Sequence, residues 1–142
     1  MSAESTKDRI LEVLEADAKA SYADIADRAD VSKPTVRKYI NELEAEGVVV
    51  GYSADVDPKK LSGQSIALVG ISVESDHYVT ATSELKDLDA IKTLYTSSGD
   101  HMLMAEVRAP DGDALGEVIR ESILGIEGVT AAHPSFLQER LK

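Results

Sequence analysis

Apolar residues recur at helical spacing through the first 50 positions and at a spacing of two in several later stretches, so a helical segment precedes an alternating one. Ile10, Leu11, Val13 and Leu14 form a stripe behind the capping candidates Ser5 and Thr6, which predicts a helix ending near Ala18. Ser21 caps a second short helix with Ile25, Ala26 and Ala29 on its apolar side, and Asp30 and Val31 supply a tight turn. Ser32 then caps a third helix. Its Pro34 lies in the first turn, where a missing N–H costs nothing, Val36, Ile40 and Leu43 keep one face apolar, and Gly47 closes it at C′. Val48, Val49 and Val50 are β-prone and read as a short strand. Gly51, Asp55, Asp57 and Pro58 mark a turn-rich connector to about Gly63.

Beyond the connector, Ala67, Val69, Ile71 and Val73 alternate as in a half-buried strand, and Tyr78, Ala81, Leu85 and Leu88 return to the helical period. Residues 91–98 and 102–109 read as strands, Leu115, Val118, Ile119 and Ile123 as a helix, and residues 129–137 as a last strand. The order is βαββαβ. A faint repeat supports it: Leu85, Leu88 and Ile91 reappear as Ile123, Ile126 and Val129, each 38 positions later, at the helix-to-strand junction of each half. The expected class is α+β, with a helix-turn-helix domain over residues 1–50, a linker over 51–63 and a ferredoxin-like domain over 64–142. Two helices cover one face of such a sheet. In a short chain, a second copy of the same chain is the simplest cover for the other, which predicts a homodimer.

Three short helices with a three- to four-residue turn between the last two match the layout of a DNA-binding helix-turn-helix. The charges of the third helix agree. Lys33, Arg37 and Lys38 lie in its first half, and Glu42, Glu44 and Glu46 in its second. A recognition helix enters the major groove by its N-terminal end, so cations belong there. The same polarity opposes the helix dipole, which favours acids first, and a layout that costs helix stability needs another reason. Ser32, Lys33, Thr35, Arg37 and Lys38 are therefore the expected contacts to double-stranded DNA.

Composition then tests this reading. Lys and Arg total 15 against 26 Asp and Glu, for a net charge of −11, whereas polyanion binders usually carry a basic footprint. Residues 1–60 carry a net of −4 and residues 61–142 a net of −7, so the second domain is the more acidic. Concentrated salt removes the conflict, because at 1 M the Debye length is about 3 Å and only close contacts count. An acidic, lysine-poor, aromatic-poor chain suits a salt-accumulating cytoplasm. The chain lacks cysteine, which excludes disulfides, cysteine-based zinc sites and thiol chemistry. No apolar run reaches the roughly 18 residues of a membrane span, and the N-terminus lacks the apolar stretch of a signal peptide, so the protein is expected to be soluble and cytoplasmic. No Ser/His/Asp set and no phosphate-cradling glycine loop points to an enzyme. His101 and His133, with Asp100, are the conceivable metal ligands, but nothing in the sequence makes their strands neighbours, so neither a metal nor a cofactor is expected.

Two stretches carry a family likeness. SKPTVRKYINELEAEGVVVGYSADVDPKKLSG over residues 32–63, and SSGDHMLMAEV followed by ILGIEGV over residues 97–107 and 123–129, resemble the Lrp/AsnC (leucine-responsive, or feast/famine) regulators, notably haloarchaeal ones in composition. The resemblance implies a winged-type helix-turn-helix joined to a ferredoxin-like ligand-binding module of the RAM type. It also implies a transcription regulator that forms dimers, often assembles those dimers into octamers, and answers a small molecule, commonly an amino acid. The effector loop of the family falls on Ser98, Gly99, Asp100 and His101. A glycine before an acid lets a ligand approach the backbone while the carboxylate accepts from an ammonium group, the other reading being a type I′ hairpin turn. Five positions depart from the family pattern: Tyr39 replaces a frequent arginine, His101 and Met102 replace the end of Gly-Asp-Tyr-Asp, and Ala132 and Pro134 replace threonines in the last strand. A ferredoxin-like metabolite- or metal-sensing module without direct operator binding is the alternative function.

Overall fold

The computed structural model describes residues 2–142, and the chain divides into two compact units, the first running to Asp55 and the second from Val56. Three helices make the first: α1 (Ala3–Ala16), α2 (Tyr22–Ala29) and α3 (Lys33–Ala45). Each starts on a serine whose hydroxyl oxygen accepts a backbone N–H three residues on. Ser2 accepts from Ser5 at 3.2 Å, Ser21 from Asp24 at 3.1 Å and Ser32 from Thr35 at 3.3 Å. Helix α1 thus begins before the expected caps Ser5 and Thr6, which lie inside it. Thr6 is buried, and its hydroxyl donates to the Ser2 carbonyl at 3.2 Å. Ile10 and Leu14 of α1, Ile25, Ala26 and Ala29 of α2, and Val36, Ile40 and Leu43 of α3 form the core. Each large aliphatic in it contributes about 1.5–3 kcal/mol.

The end of α3 removes the strand expected at residues 48–50. Gly47 takes φ +74°, its N–H donates to Glu44 at 3.1 Å, and the N–H of Val48 donates to Leu43 at 2.9 Å. This is a Schellman motif, which only a residue tolerant of left-handed backbone allows. The N–H of Val49 also returns to Leu43, at 3.1 Å. With both donors spent on the helix end, these valines make no ladder, and Val50 is left 94% exposed. The hydroxyl of Tyr52 donates to Glu44 at 3.1 Å, and burial, then the Glu44 carboxylate, raises its pKa.

The second unit is a four-stranded sheet with helices on one face. Strands β1 (Ser65–Val73), β2 (Ile91–Thr96), β3 (Leu103–Ala109) and β4 (Val129–Phe136) lie in the order β2-β3-β1-β4, every neighbour antiparallel. Helix α4 (Tyr78–Lys86) links β1 to β2, and α5 (Gly112–Glu117) runs into a π-helical turn (Val118–Ile123) before β4. The alternation places Ala67, Val69, Ile71 and Val73 against Leu85, Leu115, Ile119 and Ile123 in one aliphatic core. The 38-residue repeat is physical. Ile91 donates to Leu88 and Val129 to Ile126, both at 3.1 Å, so the same turn leads into β2 and β4. The other sheet face is uncovered within this unit. Leu68 and Tyr95 lie open on it, beside the Glu106–Arg108 ion pair at 2.9 Å.

Candidate nucleic-acid interface

Helix α3 brings the five expected DNA residues onto one exposed end of the first unit. Inward spacing of Val36, Ile40 and Leu43 fixes the helix by its apolar side and turns Lys33, Arg37 and Lys38 outward. These cations line a shallow groove of about 470 Å³ with Tyr22, Pro34 and Asn41. Ser32 and Thr35 close the helix start: their hydroxyl oxygens are 2.9 Å apart, and Ser32 also accepts the Thr35 N–H. One of the two hydroxyls donates to the other, which leaves one O–H able to turn toward an anion. The N-terminal pole of α3 is itself favourable to phosphate.

Two groove residues, Tyr22 and Asn41, stand beside the five expected contacts. The Arg37 guanidinium carbon lies 5.6 Å from the Tyr22 ring centroid, a cation–π distance that directs the guanidinium along the groove. Tyr22 is the first residue of α2, directly after the cap Ser21, and an exposed aromatic at a helix start was the available signal. Asn41, one turn beyond Arg37, shares its face. Tyr39, at the position where arginine is frequent, is half-buried against the core and carries Lys38 and Lys7 above its ring, at 5.5 and 5.9 Å.

The acidic half of α3 is turned to a different use. Lys7 of α1 reaches Glu42 at 3.1 Å and Glu46 at 3.2 Å, tying α1 to α3 away from the groove. Hydrogen bonding to Glu42, then to Glu46, raises the Lys7 pKa above its ordinary value. Part of the negative charge on α3 is therefore neutralised inside the unit, while Lys33, Arg37 and Lys38 are exposed along the groove.

In the second unit, Ser98, Gly99 and Asp100 are exposed in the loop between β2 and β3, and His101 is half-buried. The N–H of Ser97 donates to Met102 at 2.9 Å and its hydroxyl donates to the His101 carbonyl at 2.5 Å. The loop between these anchors holds four residues, so it is not the two-residue type I′ turn. Gly99 has φ +112°, a backbone that other residues rarely adopt. His101 folds back over Gly70 in β1, and its ring centroid is 5.1 Å from that of His133 in β4. Their strands are thus brought together through β1. Among the described residues, no helix is long and apolar enough to cross a membrane.

Comparison with known proteins agrees with both halves. Residues 5–50 match the winged helix-turn-helix DNA-binding family and residues 66–142 the Lrp/AsnC ligand binding domain. The HTH-type transcriptional regulator LrpA1 of Halobacterium salinarum is 74% identical over the whole of both chains, and LrpA of Pyrococcus horikoshii is 36% identical over 94% of each. The solved structure of AsnC from E. coli has 25% identity and a TM-score of 0.67, covering 96% of this chain and 93% of that one. The structure described as PH0061 reaches a TM-score of 0.80 at 18% identity, over 96% and 93%, which is a likeness of fold. The acidic composition accords with the halobacterial relative. With a DNA-binding domain and a ligand-binding domain each matched along its length, the chain belongs to the Lrp/AsnC family, whose members are transcriptional regulators and not enzymes.

Proposed function

We propose that this regulator, acting in a salt-rich cytoplasm, grips double-stranded DNA with the N-terminal half of α3. Ser32, Lys33, Thr35, Arg37 and Lys38 make the contacts. The observation that carries this is the separation of charge along the helix: three exposed cations in one groove, and two of the three acids behind them, Glu42 and Glu46, paired to Lys7. Arg37, directed by Tyr22, reads a base edge, and Lys33 and Lys38 neutralise phosphates. An amino acid is the effector, received at Ser98, Gly99, Asp100 and His101, where the exposed carboxylate meets its ammonium group. The uncovered sheet face pairs with that of a second copy into a homodimer, and dimers assemble further into octamers.

Salt dependence tests this reading. Ordinary DNA binders lose affinity as salt rises, because neutralised phosphates release counterions. Here repulsion between an acidic protein and DNA is greatest in dilute buffer, and molar salt screens it while leaving close contacts in place. Affinity for a DNA site selected from random sequence is expected to be flat or to rise with potassium chloride up to about 1 M. A steep fall between roughly 0.1 and 1 M would overturn the salt-adapted reading. Amino-acid titrations of the wild type and Asp100→Ala test the loop, since identical responses would remove it from effector binding.

A further inference from the structure

We propose that His101 and His133 form a binding site for a transition-metal ion on the open face of the sheet, distinct in chemistry from an amino-acid pocket. Three segments build it. His133 stands opposite Gly70 in the β1–β4 ladder, and Met104 stands opposite Gly70 in the β1–β3 ladder, so both flank the same point of the outer face. His101 arrives from the loop before β3 and lays its ring across Gly70. A Cβ at position 70 would fall on the ring carbons of His101, so this strand position admits the imidazole only as glycine.

The spacing of the rings suits a shared ion. An imidazole nitrogen bound to zinc at about 2.0–2.1 Å puts its ring centroid about 3.2 Å from the ion, so two rings at a tetrahedral angle lie about 5 Å apart. The observed separation is 5.1 Å, with the ring planes tilted by 33°. An aromatic contact alone would tolerate this distance. A second observation points the same way. The Nδ1 of His101 is buried without a hydrogen-bond partner, although buried polar groups are nearly always satisfied. A metal ion held between the rings gives the His101–His133 pair a partner that the chain itself does not provide.

The donors name the class of ion. Two imidazoles, with Met104 at the neighbouring register position, favour zinc, copper or nickel and disfavour magnesium and calcium, which take oxygen ligands. Two protein nitrogens leave two positions of a tetrahedron open, for water or for the same pair on a second copy of the face. The inference needs neither operator binding nor an amino-acid effector, and it assigns a metal to the two histidines that the sequence offered only as conceivable ligands.

The test uses the full chain in potassium chloride buffer, stripped with a chelator and titrated calorimetrically with zinc chloride. Binding of one ion per chain, or one per two chains, is expected, with no competition from magnesium or calcium. His101→Gln and His133→Gln should each weaken binding by more than the roughly 100-fold that loss of a merely supporting residue costs. Gly70→Ala should weaken it by displacing the His101 ring. His77→Gln is the control, because His77 is held elsewhere between Glu74 and Glu127 at 3.4 and 3.3 Å, and it should bind as the wild type does. Wild-type affinity in both pair variants, or a loss confined to His77→Gln, would overturn the proposal. Should a variant fail to fold, imidazole proton signals of the wild type decide: substoichiometric zinc should move those of His101 and His133 and leave His77 in place, and the reverse pattern would refute the site.

Discussion

The helical unit and the sheet unit place their working surfaces in opposite ways. In the helical unit, the groove cations and the core residues Val36, Ile40 and Leu43 alternate along one helix, so burying one side aims the other. In the sheet unit, the imidazole pair exists only because a loop and an edge strand meet over Gly70 of a third segment. The cores differ too. Among the described residues, the first rests on eight buried apolar side chains, two of them alanines, and the second on fourteen drawn from strands and helices far apart in the chain. Helix α3 therefore stands on a small local core that caps and ion pairs must support, while the sheet unit stands on a larger one that can tolerate an open face.

The largest expected effect breaks the comparison at its cores. Ile25→Ala removes a fully buried side chain and should cost about 2–5 kcal/mol. Amide exchange should then accelerate across α1, α2 and α3 while the amides of β1 and β3 stay protected. Equal acceleration in both units would show a single cooperative body. A smaller effect follows at the base of the groove. Ser32→Ala deletes the α3 cap and its partner hydroxyl for Thr35, at about 1 kcal/mol by thermal unfolding, whereas Ser32→Gly should cost only a few tenths.

The smallest effects separate the two units by pH. Lys7 has its pKa raised by Glu42 and Glu46, so its contribution is complete below the ordinary lysine value of 10.5 and is lost as pH rises through the raised one. Asp57 has its pKa lowered, first by the backbone N–H of Arg140 and also by that of Lys59, so its contribution is present above 3.8 and is lost as pH falls through the lowered value. Lys7→Met should thus flatten the alkaline limb of stability in the helical unit, and Asp57→Asn the acid limb in the sheet unit. Denaturant titrations across pH check both, and a swap of the two limbs would contradict the assignment.

What could be read from the sequence follows the same division. The 3.6 period of Ile10 and Leu14 and of Val36, Ile40 and Leu43, and the alternation from Ala67 to Val73, gave both cores, because burial acts on each element locally. The start of α1 was misread because Ser2, Ser5 and Thr6 can all cap, and what decides among them is that Thr6 is buried. The valines after α3 have strand propensity, but the Schellman turn at Gly47 takes their donors first. The meeting of His101 with His133 was illegible, since it depends on strand order and on a missing Cβ at position 70. Tyr22 was overlooked because its partner Arg37 lies in another helix.

The central claim, that the cationic half of α3 makes the DNA contact, is tested most directly by measuring the affinity of Arg37→Ala and of the Arg37→Ala/Lys38→Ala double variant for a selected DNA site in molar potassium chloride. Arg37→Ala should cost about 1–3 kcal/mol and relax the preference at one base position. The double variant should lose binding altogether while keeping its helix content. Retained affinity in the folded double variant would contradict the account and move the DNA contact away from this helix.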